Sequence, residues 1–252
     1  MQVTNVNIFR YDPNTDPEPY YKNYEIPWKQ YLTVLEALHY VNDHYEQISF
    51  DHSCRGSLCG RCSVMLDGEA VLACYKTLKP GVYHTIEPLK GFPVIRDMLV
   101  DRSQMRRRLD ASDLSMNTLK SLKPADAPKI DYDYYWNTLE RLNMCRECGN
   151  CLAMCPVYAK DKENYLGPAG LAQIALRAND SMDESGRVFQ AVMNGLFRCI
   201  GCGQCAKVCP SHIDHPELFR QLKQRAIDAD MVPPEEGLQS LLKMGQGNGK
   251  LY

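Results

Sequence analysis

The sequence predicts an α+β protein, a small mixed-sheet domain over residues 1–105 followed by a mainly α-helical domain over residues 106–252. Three observations predict it. Strand-like and hairpin patterns crowd the first part of the chain, and apolar residues recur at helical spacing beyond Asp131. All twelve cysteines fall into three tight runs, at positions 54–74, 145–155 and 199–209.

Two β-prone stretches, near residues 2–10 and 20–26, open the chain. Thr33-Val34-Leu35-Glu36 is a capping box that starts an amphipathic helix with Leu35, Leu38 and Val41 on its apolar face. Val64, Leu66 and Val71 flank Asp67-Gly68, a strong hairpin turn signal, so Cys74 falls at the end of the second hairpin strand, near the first cysteine loop. Pro93-Val94-Ile95-Arg96-Asp97 gives way to Arg106-Arg107-Arg108 and then to a polar segment, Lys120 through Lys129, with two prolines, which reads as a linker. Helical patterns follow at Tyr132–Leu142, with Tyr135, Trp136, Leu139 and Leu142 expected in a core, at Leu171–Ala178 after Gly167-Pro168-Ala169-Gly170, at Asp183–Met193 and at Glu217–Asp228. The tail from Val232, with Gly245-x-Gly247-x-Gly249, reads as mobile or ordered by a partner.

The cysteine runs are of two chemical types. Cys54-Arg55-Gly56-Ser57-Leu58-Cys59-Gly60-Arg61-Cys62, with eleven residues before Cys74, is the plant-type C-x4-C-x2-C…C spacing of a [2Fe-2S] centre. Gly56 and Gly60 are expected to let the loop curl its amide N–H groups towards the sulfurs. Cys145, Cys148, Cys151, Cys155-Pro156 and Cys199, Cys202, Cys205, Cys209-Pro210 each reproduce the bacterial C-x2-C-x2-C-x3-C-P run, whose fourth cysteine serves the other cluster when two are present. That rule assigns Cys145, Cys148, Cys151 and Cys209 to one [4Fe-4S] cluster, and Cys155, Cys199, Cys202 and Cys205 to a second, which is [3Fe-4S] if Cys202 is not a ligand. The first domain then reads as a plant-type ferredoxin (β-grasp) domain and the second as bacterial-ferredoxin-like.

Other readings fit less well. Zinc takes four ligands per ion and suits this doubled spacing poorly, and disulfides are disfavoured in the reducing cytoplasm where the chain is expected to reside. A Rieske-type centre needs two histidines, whereas only His52 stands beside the first run. His52 reads as a surface or loop residue, His212 and His215 as solvent-facing, and Arg106–Arg108 as a solvated face that could dock an acidic partner. With 44% apolar residues, 24% charged residues and a formal net charge of -2, the composition does not point to a nucleic-acid binder. Met1–Arg10 has no secretory pattern, and no apolar run approaches the ~20 residues of a membrane span. No nucleophile–base constellation or phosphate loop accompanies the cysteines, so catalytic residues are not expected, and any flavin or haem must come from other subunits.

The order of the runs, Leu166-Gly167-Pro168-Ala169-Gly170, Ser53-Cys54-Arg55 and Phe197-Arg198-Cys199 together resemble the iron-sulfur subunits of succinate dehydrogenase and fumarate reductase, over nearly the whole chain to about residue 228. The resemblance implies an electron-transfer subunit between an FAD-containing flavoprotein that converts dicarboxylates, facing the [2Fe-2S] domain, and a quinone at a membrane anchor. It implies a place on the cytoplasmic face of the membrane, held through partner subunits. Familiar members have a non-cysteine residue where this chain has Cys202, and their quinone pocket has tryptophans and a histidine where this chain has Val157-Tyr158-Ala159-Lys160 and Ile200. These departures resemble a branch with a second [4Fe-4S] cluster and a cysteine-rich anchor, for which a lower potential and a menaquinone-type acceptor are expected. The alternative is an adaptor for a different flavoprotein complex, of hydroxy-acid oxidase or disulfide reductase type.

Overall fold

The computed structural model describes residues 2–116 and 131–233. The Lys120–Lys129 segment and the glycine-containing tail lie outside the described residues. The chain divides into two compact units, one made of residues 1–106, 146–154 and 208–210, the other of residues 107–145, 155–207 and the chain from Ser211 on.

The first unit is a mixed sheet under one helix, as the α+β reading expects. Strands β1 (Val3–Arg10), β2 (Tyr20–Pro27), β3 (Ser63–Leu66), β4 (Glu69–Leu72) and β5 (Tyr83–Glu87) lie in the order β2-β1-β5-β3-β4. β1 pairs with β5 in parallel, and the other neighbours are antiparallel. Helix α1 (Val34–His44) carries the expected capping box, with the Glu36 N–H bonded to Thr33 Oγ1 at 3.2 Å and the Thr33 N–H to the Glu36 carboxylate at 2.9 Å. It buries Val34, Leu35, Leu38 and Val41 against Val6, Ile8, Ile26 and Ile86 of the sheet. Asp67 and Gly68 both take positive φ, 51° and 81°, and turn the β3–β4 hairpin. A small ribbon of β6 (Val94–Arg96) and β7 (Leu99–Val100) follows. The buried Arg10–Asp97 pair, 3.0 Å apart, fixes the end of β1, and Asp97 also accepts the N–H groups of Tyr11 and Ser49. Helix α2 (Ser103–Ala111) contains the three arginines.

The second unit is helical. Its chain runs through α3 (Tyr132–Tyr134), a π-helical stretch (Tyr135–Glu140) and α4 (Arg141–Asn143). The short α5 (Asn150–Ala153), which belongs to the first unit, comes next, and then α6 (Pro156–Lys160), α7 (Gly167–Ala178), α8 (Arg187–Met193), a 3₁₀ turn (Leu196–Arg198), α9 (Gln204–Lys207) and α10 (His215–Asp228). The buried faces of α7 (Leu171, Ile174, Ala175), α8 (Ala191) and α10 (Phe219, Leu222, Ala226) supply its core.

Four expectations change. Tyr135 and Trp136 are exposed, Trp136 to 59%, and only Leu142 of that pattern is fully buried, because the widened π turn breaks the 3.6-residue stripe on which the core reading rested. The Gly-Pro-Ala-Gly stretch lies inside the first turn of α7, where the missing N–H of Pro168 leaves no hydrogen bond unmade. Helix α8 begins only at Arg187, because the Asp183 carboxylate ties the Ser185 N–H and the Arg187 guanidinium into a turn. His215 is buried, 2% exposed, on the first turn of α10 beside Phe219, whereas His212 is exposed. His52 is a half-buried loop residue stacked on Phe50.

Candidate metal centres

In the first run the backbone does the gathering. Cys54 is exposed, and its Sγ accepts the N–H groups of Gly56, Leu58 and Cys59 at 3.4, 3.3 and 3.3 Å. The left-handed residues that curl the loop are Arg55 (φ 54°) and Ser57 (φ 60°), followed by Gly60 (φ 68°). Gly56 supplies an N–H but not a left-handed turn, which corrects the expectation that both glycines bend the loop. Three amide donors stabilise the thiolate, and the Cys54 thiol is held down at about 6. Cys62 is buried at the start of the hairpin, and burial pushes its thiol up while the Cys74 N–H pulls the other way. The ladder bond from the Ala73 N–H to the Cys62 carbonyl, 3.0 Å, brings Cys74 alongside. Cys59 and Cys74 both act on Cys62, and Cys59 also neighbours Cys54, which links the thiols of the run.

Gly60 has a second constraint. A Cβ on it would stand 2.5 Å from the Arg146 carbonyl oxygen and 2.9 Å from Cys148 Cβ. The segment of the second run with Cys148 and Cys151, both buried, thus packs against the first loop within one unit, and Cys148 joins the core under the sheet. The buried Asn150 donates to the carbonyls of Ala70 (3.3 Å) and Val208 (3.5 Å), holding the chain next to Cys209 in that unit. Cys145 ends a segment of the other unit.

The second and third runs repeat one backbone pattern. Two and four residues after the first cysteine, Glu147 and Gly149 in one run and Gly201 and Gly203 in the other are left-handed. In the third run this turn borders a small cavity whose lining includes Cys155, Cys199, Cys202 and Cys205. Cys155 caps α6, its Sγ accepting the Tyr158 N–H at 3.5 Å, and burial pushes its thiol up. Burial and the neighbouring Cys199, Cys155 and Cys202 push Cys205 up to about 12. Lys223 Nζ donates to the Cys199 carbonyl at 2.6 Å and lies over the Phe197 ring. Tyr165 also lines the cavity, fully buried, with burial and the adjacent thiols raising its phenol.

The donor sets fit iron-sulfur clusters. Apart from the Tyr165 phenol, the four thiols are the side-chain donors lining the third-run cavity, and soft thiolates suit iron-sulfur sites. Buried thiols held protonated by desolvation are released as thiolates by metal coordination. Around one zinc ion, sulfurs would stand roughly 3.8 Å apart, and among the described residues no three His, Cys, Asp or Glu side chains converge as one ion requires. In a [4Fe-4S] cluster each ligand binds its own iron, and in a [2Fe-2S] cluster two ligands share each iron, so a full ligand set surrounds a larger volume than one ion needs. No helix among the described residues is long and apolar enough to cross a membrane.

Sequence reasoning missed Tyr165 and Lys223. Lys223 stands four residues after the buried Phe219, on the inner side of α10, a placement its periodicity allows one to read. Tyr165 has no spacing that marks it. Arg108 is used within its own unit, donating to the Tyr165 carbonyl at 3.0 Å and lying over the Tyr158 ring.

Comparisons with known proteins find the same two domain types in this order. A family described as a 2Fe-2S iron-sulfur cluster binding domain matches residues 5–107, and one described as a 4Fe-4S dicluster domain matches residues 141–213. A fumarate reductase (CoM/CoB) subunit from Methanothermobacter marburgensis is 37% identical over 219 residues, covering 85% of this chain; the chain spans 42% of that relative's length. The fumarate reductase iron-sulfur subunit of Haemophilus influenzae is 32% identical over 236 residues, covering 88% of this chain and 92% of the relative. A chain of the Mycobacterium smegmatis Sdh1 complex in the apo form shares the fold, with a TM-score of 0.82 at 24% identity, over 92% of this chain and 99% of that one.

Proposed function

Because the chain belongs to the succinate dehydrogenase and fumarate reductase family of iron-sulfur subunits, we propose that it is the electron-transfer subunit of such an oxidoreductase complex. It would link an FAD-containing, dicarboxylate-converting subunit to a membrane anchor, and lie on the cytoplasmic face through those partners. Cys54, Cys59, Cys62 and Cys74 hold [2Fe-2S]; Cys145, Cys148, Cys151 and Cys209 hold the first [4Fe-4S]; Cys155, Cys199, Cys202 and Cys205 hold the second. When bound, such clusters take up and give back single electrons without an open coordination position.

The observation that carries the assignment is the third-run cavity, whose lining includes four thiols, Cys202 among them. A fourth thiolate allows a fourth iron and a more negative centre, which favours a lower potential and an acceptor such as a menaquinone or a cysteine-rich anchor. The chain's own residues do the remaining work: amides stabilise thiolate charge in the first loop, and the apolar Val157, Pro168 and Ile200 line the last cavity. Replacing Cys202 with Val should convert the last centre to a three-iron form in anaerobically prepared protein. Iron and sulfide analysis with EPR of the oxidised state reads this, and a spectrum that does not change would remove Cys202 from the ligands.

A second reading keeps the same wire and changes its partner. The relative at 37% identity is named for CoM/CoB, which favours a complex working with that pair in place of a quinone. Co-purification from the native source, with identification of the flavoprotein and anchor, separates the two readings.

A further inference from the structure

The Tyr165 hydroxyl is fully buried, lies at the third-run cavity and makes no hydrogen bond of ordinary geometry with the protein. Folds seldom keep such a group, because a buried donor without an acceptor is unfavourable and a phenylalanine would fill the same space. Cys199, Cys155 and Cys205 lie near enough to act on the phenol, Cys199 the most strongly. Tyr165 is also firmly placed. Arg108 holds its carbonyl, the Leu166 N–H bonds the Asn194 carbonyl at 3.1 Å, and Gly195 lies so close that a Cβ there would stand 3.1 Å from Tyr165 Cα. Lys223 donates to the main-chain carbonyl of Cys199 and acts on its thiol by charge.

We propose that the Tyr165 hydroxyl donates an O–H···S hydrogen bond to the Cys199 thiolate, acting as a positioning residue that raises the reduction potential of the last cluster. The proposal rests on the assignment of Cys155, Cys199, Cys202 and Cys205 to one cluster. A donor aimed at a ligand sulfur stabilises the more negative, reduced state over the oxidised one. The first run does this with three backbone amides, which no side-chain replacement removes. Near the last cluster the Tyr158 N–H serves Cys155, and the Tyr165 hydroxyl adds a side-chain donor whose effect is open to substitution.

The test is Tyr165→Phe in the full chain with its clusters, prepared anaerobically and titrated by EPR. The potential of the last cluster should fall by a roughly fivefold change in its reduction equilibrium, about 40 mV at 59 mV per decade for one electron, with the other two centres unmoved. Electron-nuclear double resonance should lose one exchangeable proton coupling. An unchanged potential with intact clusters overturns the proposal. If the Phe variant does not assemble, 3-fluorotyrosine placed at position 165 keeps the hydroxyl, makes it a stronger donor and must move the potential upward; no movement overturns the proposal equally. Failure of the underlying cluster assignment looks different, because it appears in the unsubstituted protein as a three-iron EPR signal.

Discussion

The first cysteine loop and the third-run cavity differ most at two thiols, Cys54 and Cys205, which their surroundings treat in opposite ways. In the loop, Cys54 is exposed and three main-chain N–H groups point at its sulfur, so its thiol is held down at about 6. In the cavity, Cys155 and Cys205 are buried, and desolvation pushes both thiols up. Charge on the Cys54 sulfur is thus favoured by fixed dipoles, whereas Cys205, like the buried Cys62 of the first run, waits for metal. The loop depends on backbone handedness, the cavity on what surrounds it, and substitutions should respect that difference.

The largest effect is expected at Gly60. Gly60→Val meets both a left-handed φ and the Arg146 carbonyl, so about 3 kcal/mol or more of stability should be lost together with the [2Fe-2S] absorption. Gly203→Val has the same backbone strain but nothing within 4 Å of its new Cβ, and should lose only about 1–2 kcal/mol. Thermal unfolding with iron analysis compares them, and equal losses would break the contrast.

A middling effect concerns the turn that precedes α8. Burial pulls the Asp183 carboxyl upward, but the Arg187 guanidinium and the Ser185 N–H outweigh it and hold the group at about 2. Its folded value lies below the unfolded one, so the stabilisation is full above about pH 4 and disappears as pH falls through about 2. The titrating part amounts to about 2 kcal/mol. Asp183→Asn should therefore be less stable at neutral pH by at least that much, and denaturant titrations should show the gap closing between pH 4 and pH 2. The smallest effect is Ser57→Gly, which relieves a left-handed serine without removing an amide donor. It should leave the [2Fe-2S] spectrum alone and change stability by less than about 1 kcal/mol, because glycine also loosens the unfolded chain. A marked spectral change would show that the Ser57 side chain matters to the loop after all.

What the sequence displayed openly was local. The capping box at Thr33–Glu36, the Asp67-Gly68 turn and the cysteine spacings each involve residues close in the chain, where geometry follows from residue type. The hidden features depend on distant partners. Arg55, Ser57 and Glu147 are left-handed although their residue types do not favour it, because packing and sulfur–amide bonds outweigh local preference. His215 reads as polar and exposed until Phe219 and the core of α10 bury it, and the Tyr135–Trp136 stripe reads as core until a π turn rotates it outward. Tyr165 could be found only once the fold enclosed its hydroxyl.

The composition of the first unit bears on how the protein is made. Residues 146–154 and 208–210 belong with the sheet, Cys148 fills part of the core under it, and Gly60 has space only for a hydrogen against that later segment. A nascent chain that has emerged through Arg106 therefore carries every strand of the sheet but lacks pieces still to be translated. The ferredoxin-like unit is complete only once the chain through Pro210 is in place.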